Sequence, residues 1–371
     1  MNRETGDRLT EAVWMALSPL LRTLAAFEAV QRYLDPHFIP RLVEMVSPLG
    51  PELEAGGRAL DSVDWPPELG SIRDGLSGAG HYAAEALAGF LDASRDSTSV
   101  IPLYRAVRRI TRALETLYPL YSVLRPVNSF FLEEPLGGAQ TMLARLEEAA
   151  RAPGAGSRVG VIAAENARKQ RGGHTLYVPE YCDGSEPWPL VVALHGGHGH
   201  GAEFLWSWVR EARSRGFLLL APTSRGNTWS LMGEDVDGEP LRSLVRQVRQ
   251  SYNVHPERIL LTGMSDGGTY AYRCGLRRET PFTHLAPISC VLNPLLLEDG
   301  DMSHAAGKRI YLVHGALDWM FPVDLARMAE YELSAAGAEL TYREIPDLSH
   351  TYPRDENPRI LDWFGVPLRE G

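Results

Sequence analysis

The feature that most limits the possible folds of this chain is an alternation in its second half between short apolar runs and amphipathic segments. The runs include PLVVALH, GFLLLAP and RIYLVHG, each of which is a nearly continuous apolar stretch. Strands that are buried on both faces have this pattern, and they belong to parallel sheets covered by helices. From about residue 156 onward, the sequence therefore predicts a doubly wound, mostly parallel α/β domain.

A set of strands and helices fits this alternation. The predicted strands are Thr175–Val178, Leu190–Leu194, Phe217–Ala221, Arg258–Thr262, His284–Ser289, Arg309–Val313 and Leu340–Ile345. The predicted helices between them are Ala202–Ser214, Pro240–Ser251, Gly267–Arg277 and Pro322–Ala336. Because ligands bind outside the carboxyl ends of the strands in such sheets, the residues that follow each strand are the first candidates for a site.

The first half of the chain has a different pattern and predicts an all-α domain. Apolar residues recur at helical spacing there, and no strand-like run lies between the helical stretches. The predicted helices are Leu9–Val30, Pro66–Ala93, Pro102–Leu124 and Ala139–Ala150. The segment Arg151–Ser157, with the sequence RAPGAGS, has the composition of a linker. We therefore predict a helical N-terminal domain over residues 1–155 and an α/β domain over residues 156–371.

Length, charge and cysteine content narrow the possible partners. The 371 residues exceed one ordinary domain, in agreement with the two patterns. Asp and Glu number 47 against 37 Lys and Arg, and a net charge of −10 repels nucleic acid and anionic lipid. The three cysteines are widely spaced and include no CxxC pair, which argues against a disulfide scaffold or a zinc ribbon. We expect no nucleic-acid partner.

The N-terminal stretch MNRETGDRLTEAVWMALSPLLRTLAAF does not have the pattern of a secretory signal. Glu11 and Arg22 bracket its short apolar run, and Pro19 interrupts that run. We expect the stretch to be too short and too charged to span a bilayer, and to form an amphipathic helix on a soluble core. The expected location of the protein is therefore the cytoplasm, with no membrane span.

One strand-to-helix junction carries the pattern expected of a nucleophile. The segment Gly263-Met264-Ser265-Asp266-Gly267-Gly268 follows the run RILLT and precedes a predicted helix. A GxSxG string in this context predicts a nucleophile elbow, a turn so sharp that its flanking positions need glycine. The helix that follows favours negative charge at its N-terminal end. Ser265 is therefore the candidate nucleophile.

The glycine-rich loop HGGHG begins at His195, directly after a predicted strand. Glycines in such a loop allow a backbone N–H to approach a substrate oxygen closely. We expect the N–H groups of Gly197 and Asp266 to form an oxyanion hole. A metal site from His195, His198 and His200 is the alternative, but these histidines lack the spacing of a helical His pair and have no paired Cys set.

Asp318 and His350 follow later strands and complete a Ser–His–Asp set. A carboxylate at the position of Asp318 would orient the imidazole and stabilise its cation. Asp324 is the competing acid, but it lies at the start of a predicted helix, where a carboxylate is favourable for capping alone. A histidine takes and returns protons near neutral pH. The chain order Ser265, Asp318, His350 is the order that this type of site requires.

At these positions the sequence resembles the α/β-hydrolase superfamily, and within it the phospholipase/carboxylesterase, polyhydroxybutyrate-depolymerase-like and feruloyl-esterase-like groups. The resemblance rests on HTLYVPE, PWPLVVALHGG, GMSDGG, VHGALDWMFPV and LSH, and it covers about residues 170–365. It implies Ser265 as nucleophile, Asp318 as acid and His350 as base. Many relatives carry Gln or Ala where this chain has Asp266, and the helical domain is outside the resemblance.

The expected activity is that of a serine carboxylesterase that hydrolyses short acyl or aryl esters through an acyl-enzyme, without a metal or organic cofactor. Trp229, Trp319 and His198 are the predicted substrate contacts, although a packing role for Trp229 is an open alternative. A serine peptidase, a thioesterase and a non-catalytic interaction protein of the same fold are the alternative functions. The helical domain would cap the site, bind another protein or form a homo-oligomer.

Overall fold

The computed structural model of the chain describes residues 3–95, 100–137, 139–151, 158–297 and 302–368. It divides into two compact units, Met1–Gly138 and Ala139–Gly371. The predicted linker Arg151–Ser157 lies outside the described residues except for Arg151. The helix Gln140–Arg151 belongs to the second unit, where the guanidinium of Arg145 lies 4.2 Å from the ring centroid of Tyr181.

The first unit is helical throughout its described residues. Its helices are α1 (Arg3–Arg32), α2 (Ile39–Val46), α3 (Leu49–Asp61), α4 (Gly70–Ala93), α5 (Ile101–Leu117), α6 (Arg125–Phe130) and α7 (Glu134–Gly137). The sequence did not predict α2 and α3, because their prolines indicated breaks. Pro40 and Pro51 lie in the first turns of α2 and α3, where a missing N–H costs nothing. Capping and assembly by this unit stay predictions.

Helix α1 is longer than its apolar run suggested. Its segment Glu4–Arg32 is, by length and composition alone, long enough and apolar enough to cross a membrane, contrary to our expectation. A core helix of a soluble protein and a signal sequence pass the same test. One face of α1 is buried, through residues that include Leu17, Leu20, Leu24 and Phe27. The absence of a membrane span stays a prediction.

The second unit contains the predicted mostly parallel sheet. Its strands are β1 (Gly160–Ala164), β2 (His174–Val178), β3 (Trp188–Leu194), β4 (Leu218–Pro222), β5 (Val254–Met264), β6 (His284–Ile288), β7 (Arg309–Gly315) and β8 (Glu339–Ile345). Over the described residues they form one sheet in the order β1-β2-β4-β3-β5-β6-β7-β8. β3 to β8 pair with one another in parallel. β1 pairs antiparallel with β2, and β2 pairs antiparallel with β4. β1 was not predicted, since it is short and half exposed.

The helices of this unit are α8 (Gln140–Arg151), α9 (Gly201–Phe204), α10 (Val209–Arg215), α11 (Gly238–Ser251), α12 (Asp266–Gly275), α13 (Val323–Ala335) and α14 (Asn357–Trp363). The predicted helix Ala202–Ser214 is wrong as a single element, because the tighter turn Leu205–Ser207 divides it. α12 packs on β5 and β6, and α13 packs on β7 and β8. All residues of β3, β4 and β6 are buried, as their apolar sequences predicted.

The turn from β5 into α12 has no room for side chains at its glycines. A Cβ on Gly263 would lie 2.5 Å from the backbone of Gly267, and a Cβ on Gly267 would lie 2.4 Å from the carbonyl oxygen of Leu194. Ser265, between them, has φ 56° and ψ −123°, a conformation that favours glycine strongly. The turn therefore keeps Ser265 at a positive φ that serine disfavours, and it places the serine side chain at the end of β5.

The backbone strain at Ser265 can be measured with two substitutions that remove the same hydroxyl. We expect Ser265→Gly to be more stable than Ser265→Ala by about 1 kcal/mol, because glycine adopts the positive φ without strain. At Ser243, inside α11, the order should be the reverse, since glycine in a helix interior costs about 1 kcal/mol relative to alanine. Urea unfolding of the four variants measures both differences, and the same order at both positions would contradict the strain.

His284 makes the stability of the second unit depend on pH. Burial, together with the nearby charges of Arg309 and Lys308, lowers its pKa from 6.5 to about 4. Between pH 6.5 and about pH 4, the unfolded chain therefore binds a proton at this histidine that the folded chain does not bind, so acid favours unfolding. Between pH 7 and pH 5 this effect amounts to about 2 kcal/mol. Urea unfolding of His284→Gln at both pH values should show a smaller loss of stability than the unsubstituted chain; an equal loss would rule out this origin.

Candidate active site

Ser265, Asp318 and His350 lie together at the carboxyl ends of β5, β7 and β8. Nε2 of His350 lies 3.0 Å from Oγ of Ser265, and its Nδ1 lies 2.8 Å from Oδ2 of Asp318. The three residues are 8%, 6% and 5% exposed, in chain order. Because a carboxylate only accepts hydrogen bonds, Nδ1 carries the proton toward Asp318, and Nε2 is left to accept the proton of the serine.

The turn after β7 fixes the carboxylate of Asp318. The N–H groups of Met320 and Phe321 donate to its Oδ1 over 3.0 and 2.8 Å, while Oδ2 faces His350. Asp324, the competing acid, lies on α13 with an exposed side chain that pairs with Arg327 at 2.9 Å. The structure thus brings Asp318 to the histidine and leaves Asp324 in an ion pair on its own helix.

His314 supports the same turn, in agreement with a structural role for a histidine on the strand that precedes the acid. It is fully buried near the end of β7, and its Nε2 lies 2.8 Å from the carbonyl oxygen of Phe321 and 3.6 Å from Oδ2 of Asp318. Nε2–H donates to that carbonyl, so the ring holds the residue whose N–H binds Asp318. Its position four residues before the acid on a buried strand was the available signal.

The loop after β3 passes close to Ser265. A Cβ on Gly196 would lie 3.5 Å from the Cβ of Ser265. The N–H groups of His198 and Gly199 donate to carbonyls of the protein, so neither can bind a substrate oxygen. Gly197 lies between these positions, and Asp266 begins α12, where the helix dipole favours negative charge. Their N–H groups remain the predicted oxyanion donors.

The side chain of Asp266 turns toward this loop. Oγ1 of Thr228 donates to its Oδ2 over 2.5 Å. A Cβ on Gly197 would lie 2.7 Å from the same oxygen. The residue that contributes one predicted oxyanion N–H therefore also places a carboxylate beside the residue that contributes the other.

Arg171 connects the loops after β3 and β4. It donates to the carbonyl oxygens of Gly199 and Gly226 over 2.6 and 2.9 Å, and also to Oγ of Ser224. One guanidinium thus links two segments that border the site. Sequence reasoning missed this residue, because an isolated arginine before a strand carries no signal of its distant partners.

Trp229, a predicted substrate contact, is packed among protein side chains. The residue is 3% exposed, and its Nε1 donates to the carbonyl oxygen of His195 over 2.7 Å. Its ring stacks on Tyr270, with centroids 5.2 Å apart, and also lies against the ring of His195. Trp229 therefore packs beneath the loops, which was the open alternative, because these contacts use the ring surface that a substrate would need.

Trp319 and His198 are accessible, as substrate contacts must be. Trp319 is 48% exposed, and its ring centroid lies 6.3 Å from that of His350. The ring of Phe321 lies closer to the same imidazole, at 5.2 Å. His198 is exposed beside Gly197 and has a positive φ of 54°. Their roles toward a substrate stay predictions.

Two of the three histidines of the alternative metal site are engaged in hydrogen bonds. In both His195 and His200, one ring nitrogen accepts from a backbone N–H and the other faces a backbone carbonyl. Such partners fix neutral tautomers with both nitrogens in use. Burial also lowers the pKa of His200. Within the described ranges, no group of three or more His, Cys, Asp or Glu residues is arranged to hold a metal.

The second unit is similar in sequence to known ester hydrolases. The sequence model of the family described as phospholipase/carboxylesterase matches residues 238–363. A bifunctional acetylxylan esterase/xylanase from Neocallimastix patriciarum is 26% identical over 221 residues, which are 55% of this chain and 30% of that protein. The chain therefore spans less than a third of the length of this curated relative.

Solved structures similar to this chain include a thermostable esterase, at 20% identity and a TM-score of 0.47, over 57% of this chain and 63% of that one. Esterase PE8 is 18% identical, with a TM-score of 0.43, over 56% of this chain and 100% of that one. The C-terminal half of the chain thus has the mostly parallel sheet of an α/β-hydrolase fold, and its residues 238–363 are similar to the phospholipase/carboxylesterase family.

Proposed function

We propose that the second unit is a serine carboxylesterase that hydrolyses short acyl or aryl esters. The observation that carries the proposal is the continuous hydrogen-bonded line from Asp318 through His350 to Ser265. The family match and the esterase relative support ester hydrolysis as the reaction. The name of that relative includes acetylxylan esterase, so acetyl esters are the first substrates to test.

The first chemical step forms a bond between Oγ of Ser265 and the ester carbonyl carbon. Nε2 of His350 accepts the hydroxyl proton as this bond forms, and the electron pair of the C=O double bond moves onto oxygen. The N–H groups of Gly197 and Asp266 hold the resulting oxyanion, helped by the N-terminal end of α12. Asp318 stabilises the imidazolium through Nδ1–H without taking its proton.

The second step releases the alcohol and leaves an acyl-enzyme. The bond from the carbonyl carbon to the leaving oxygen breaks, and Nε2–H of His350 gives its proton to that oxygen. Water then bonds to the acyl carbon while His350 takes one of its protons. When Oγ of Ser265 leaves with that proton, the carboxylic acid is free and the enzyme is restored.

The surroundings of His350 indicate where the alcohol lies. Because the imidazole protonates the leaving oxygen, the aromatic rings beside it border the alcohol portion of the ester. Trp319 is half exposed there, and the ring of Phe321 contacts the same imidazole edge-to-face. An exposed indole offers an aryl or short alkyl group apolar contact area, which supports aryl esters as substrates.

Removing the hydroxyl of Ser265 tests the proposal directly. We expect Ser265→Ala to lower kcat for 4-nitrophenyl acetate by on the order of 10³-fold or more, because no nucleophile is left to form the acyl-enzyme. Ser243→Ala, in α11, is the matched control and should retain the activity. Release of 4-nitrophenol measures the rate, and undiminished activity of Ser265→Ala would remove the basis of the proposal.

Parallel assays with an acyl thioester and a peptide anilide separate esterase from thioesterase and peptidase activity.

The two candidate acids can be separated with a pair of isosteric substitutions. Asp318→Asn should lower kcat for the same ester by about 10³- to 10⁴-fold, since an amide cannot stabilise the imidazolium and favours the wrong histidine tautomer. Asp324→Asn should leave kcat within about twofold, because its side chain is exposed and pairs with Arg327. Steady-state kinetics of both variants decide the assignment, and a larger loss in Asp324→Asn would reverse it.

A further inference from the structure

Asp266 places a negative charge where the proposed reaction develops another. Its side chain is half-buried, one residue after Ser265, and its Oδ2 lies beside Gly197 on the loop after β3. A fixed carboxylate next to an oxyanion hole raises the energy of an oxyanion and repels any anionic group on the substrate. The charge is therefore unfavourable for a neutral or anionic ester.

The position of this carboxylate is fixed by two features of the fold. Oγ1 of Thr228, on the loop after β4, donates to Oδ2 over 2.5 Å. Asp266 also lies in the first turn of α12, where the helix dipole stabilises a carboxylate. The side chain is thus held over the loop backbone and is not a freely rotating surface acid.

The carboxylate keeps acceptor capacity for a substrate. Among the described residues, its hydrogen bond is the one from Thr228 to Oδ2, and none of them forms an ion pair with it. The guanidinium of Arg171 donates to two carbonyl oxygens and a serine hydroxyl on the same loops. A carboxylate has about four lone-pair sites on its two oxygens, so a further donor can bind.

We propose that Asp266 is a specificity-determining residue, which selects esters whose acyl group carries an ammonium or hydroxyl group near the carbonyl and disfavours acyl groups that carry an anion. The acyl carbon is bonded to Oγ of the neighbouring Ser265, so its substituents begin next to Asp266. This inference rests on the proposed esterase function and adds the chemical class of its acyl group. An ammonium on the acyl group offsets the charge that opposes the oxyanion.

The size of the effect follows from Coulomb's law. Unit charges separated by about 6 to 8 Å, at the effective dielectric constant of a partly exposed site, change a rate by about 10- to 100-fold. The selection is electrostatic, so it should weaken as added salt screens the charges. Selection by pocket shape would not depend on salt in this way.

The test uses three 4-nitrophenyl esters of similar acyl length: the neutral butanoate, the cationic 3-aminopropanoate and the anionic hemisuccinate. For the unsubstituted chain, we expect kcat/KM to fall in the order cationic, neutral, anionic. In Asp266→Asn, which keeps the shape, the backbone N–H and an acceptor for Thr228, the ratio of cationic to anionic kcat/KM should drop by about 10- to 100-fold. Asp324→Asn is the matched control and should keep the original ratio.

The ratios separate failure of this inference from failure of the proposed function. If the neutral ester is hydrolysed in a Ser265-dependent manner and the cationic-to-anionic ratio is the same in Asp266→Asn as in the unsubstituted chain, the selection role is overturned. If no ester is hydrolysed, or Ser265→Ala retains activity, the proposed function itself fails. Should Asp266→Asn fold poorly, the salt dependence of the ratio in the unsubstituted chain decides, and a ratio unaffected by salt would count against Asp266.

Discussion

Burial of the central strands on both faces is the constraint on which the rest of the C-terminal unit depends. β3, β4 and β6 have only buried residues, so a polar side chain placed within them would lose its hydration with few partners to replace it. Reactive groups are therefore confined to the strand ends, and parallel pairing brings those ends to one edge. Ser265, Asp318 and His350 are distant in the sequence and adjacent in space for this reason.

Confinement to strand ends creates a second requirement, because loops must position reactive atoms to within a few tenths of an ångström. The structure meets it largely through hydrogen bonds from the backbone. The N–H groups of Met320 and Phe321 hold one oxygen of Asp318, and His314 holds the carbonyl of Phe321. Gly263 and Gly267, on either side of Ser265, let the backbones of the turn approach more closely than any side chain would allow. Each device binds backbone atoms, so the geometry depends little on mobile side chains.

The sequence predicted the elements and residues that obey local rules. Continuous apolar runs predicted the parallel strands, and a serine, an acid and a histidine after three different strands predicted the group that the structure brings together. What the sequence could not indicate depends on distant partners. The local sequence around an aromatic residue after a strand, such as Trp229, is the same whether the ring faces a substrate or packs on Tyr270. Arg171 and the pairing of Asp266 with Thr228 join separate loops, and no periodicity reports such contacts.

In the proposed reaction, the charge of Asp266 has an energetic consequence for the choice of substrate. A nearby carboxylate opposes formation of the oxyanion for every substrate, so for a neutral ester it can only slow the reaction. With a cationic acyl group, the carboxylate of Asp266 attracts the ammonium already in the Michaelis complex. In the transition state, the ammonium also reduces the repulsion between the carboxylate and the oxyanion, because the three groups together carry less net charge. Selectivity at this site is therefore coupled to rate: the charge that discriminates between acyl groups also lowers the rate for those without a compensating donor. Thr228 and the first turn of α12 stabilise the carboxylate in that position, so the penalty belongs to the folded structure and only the substrate can offset it.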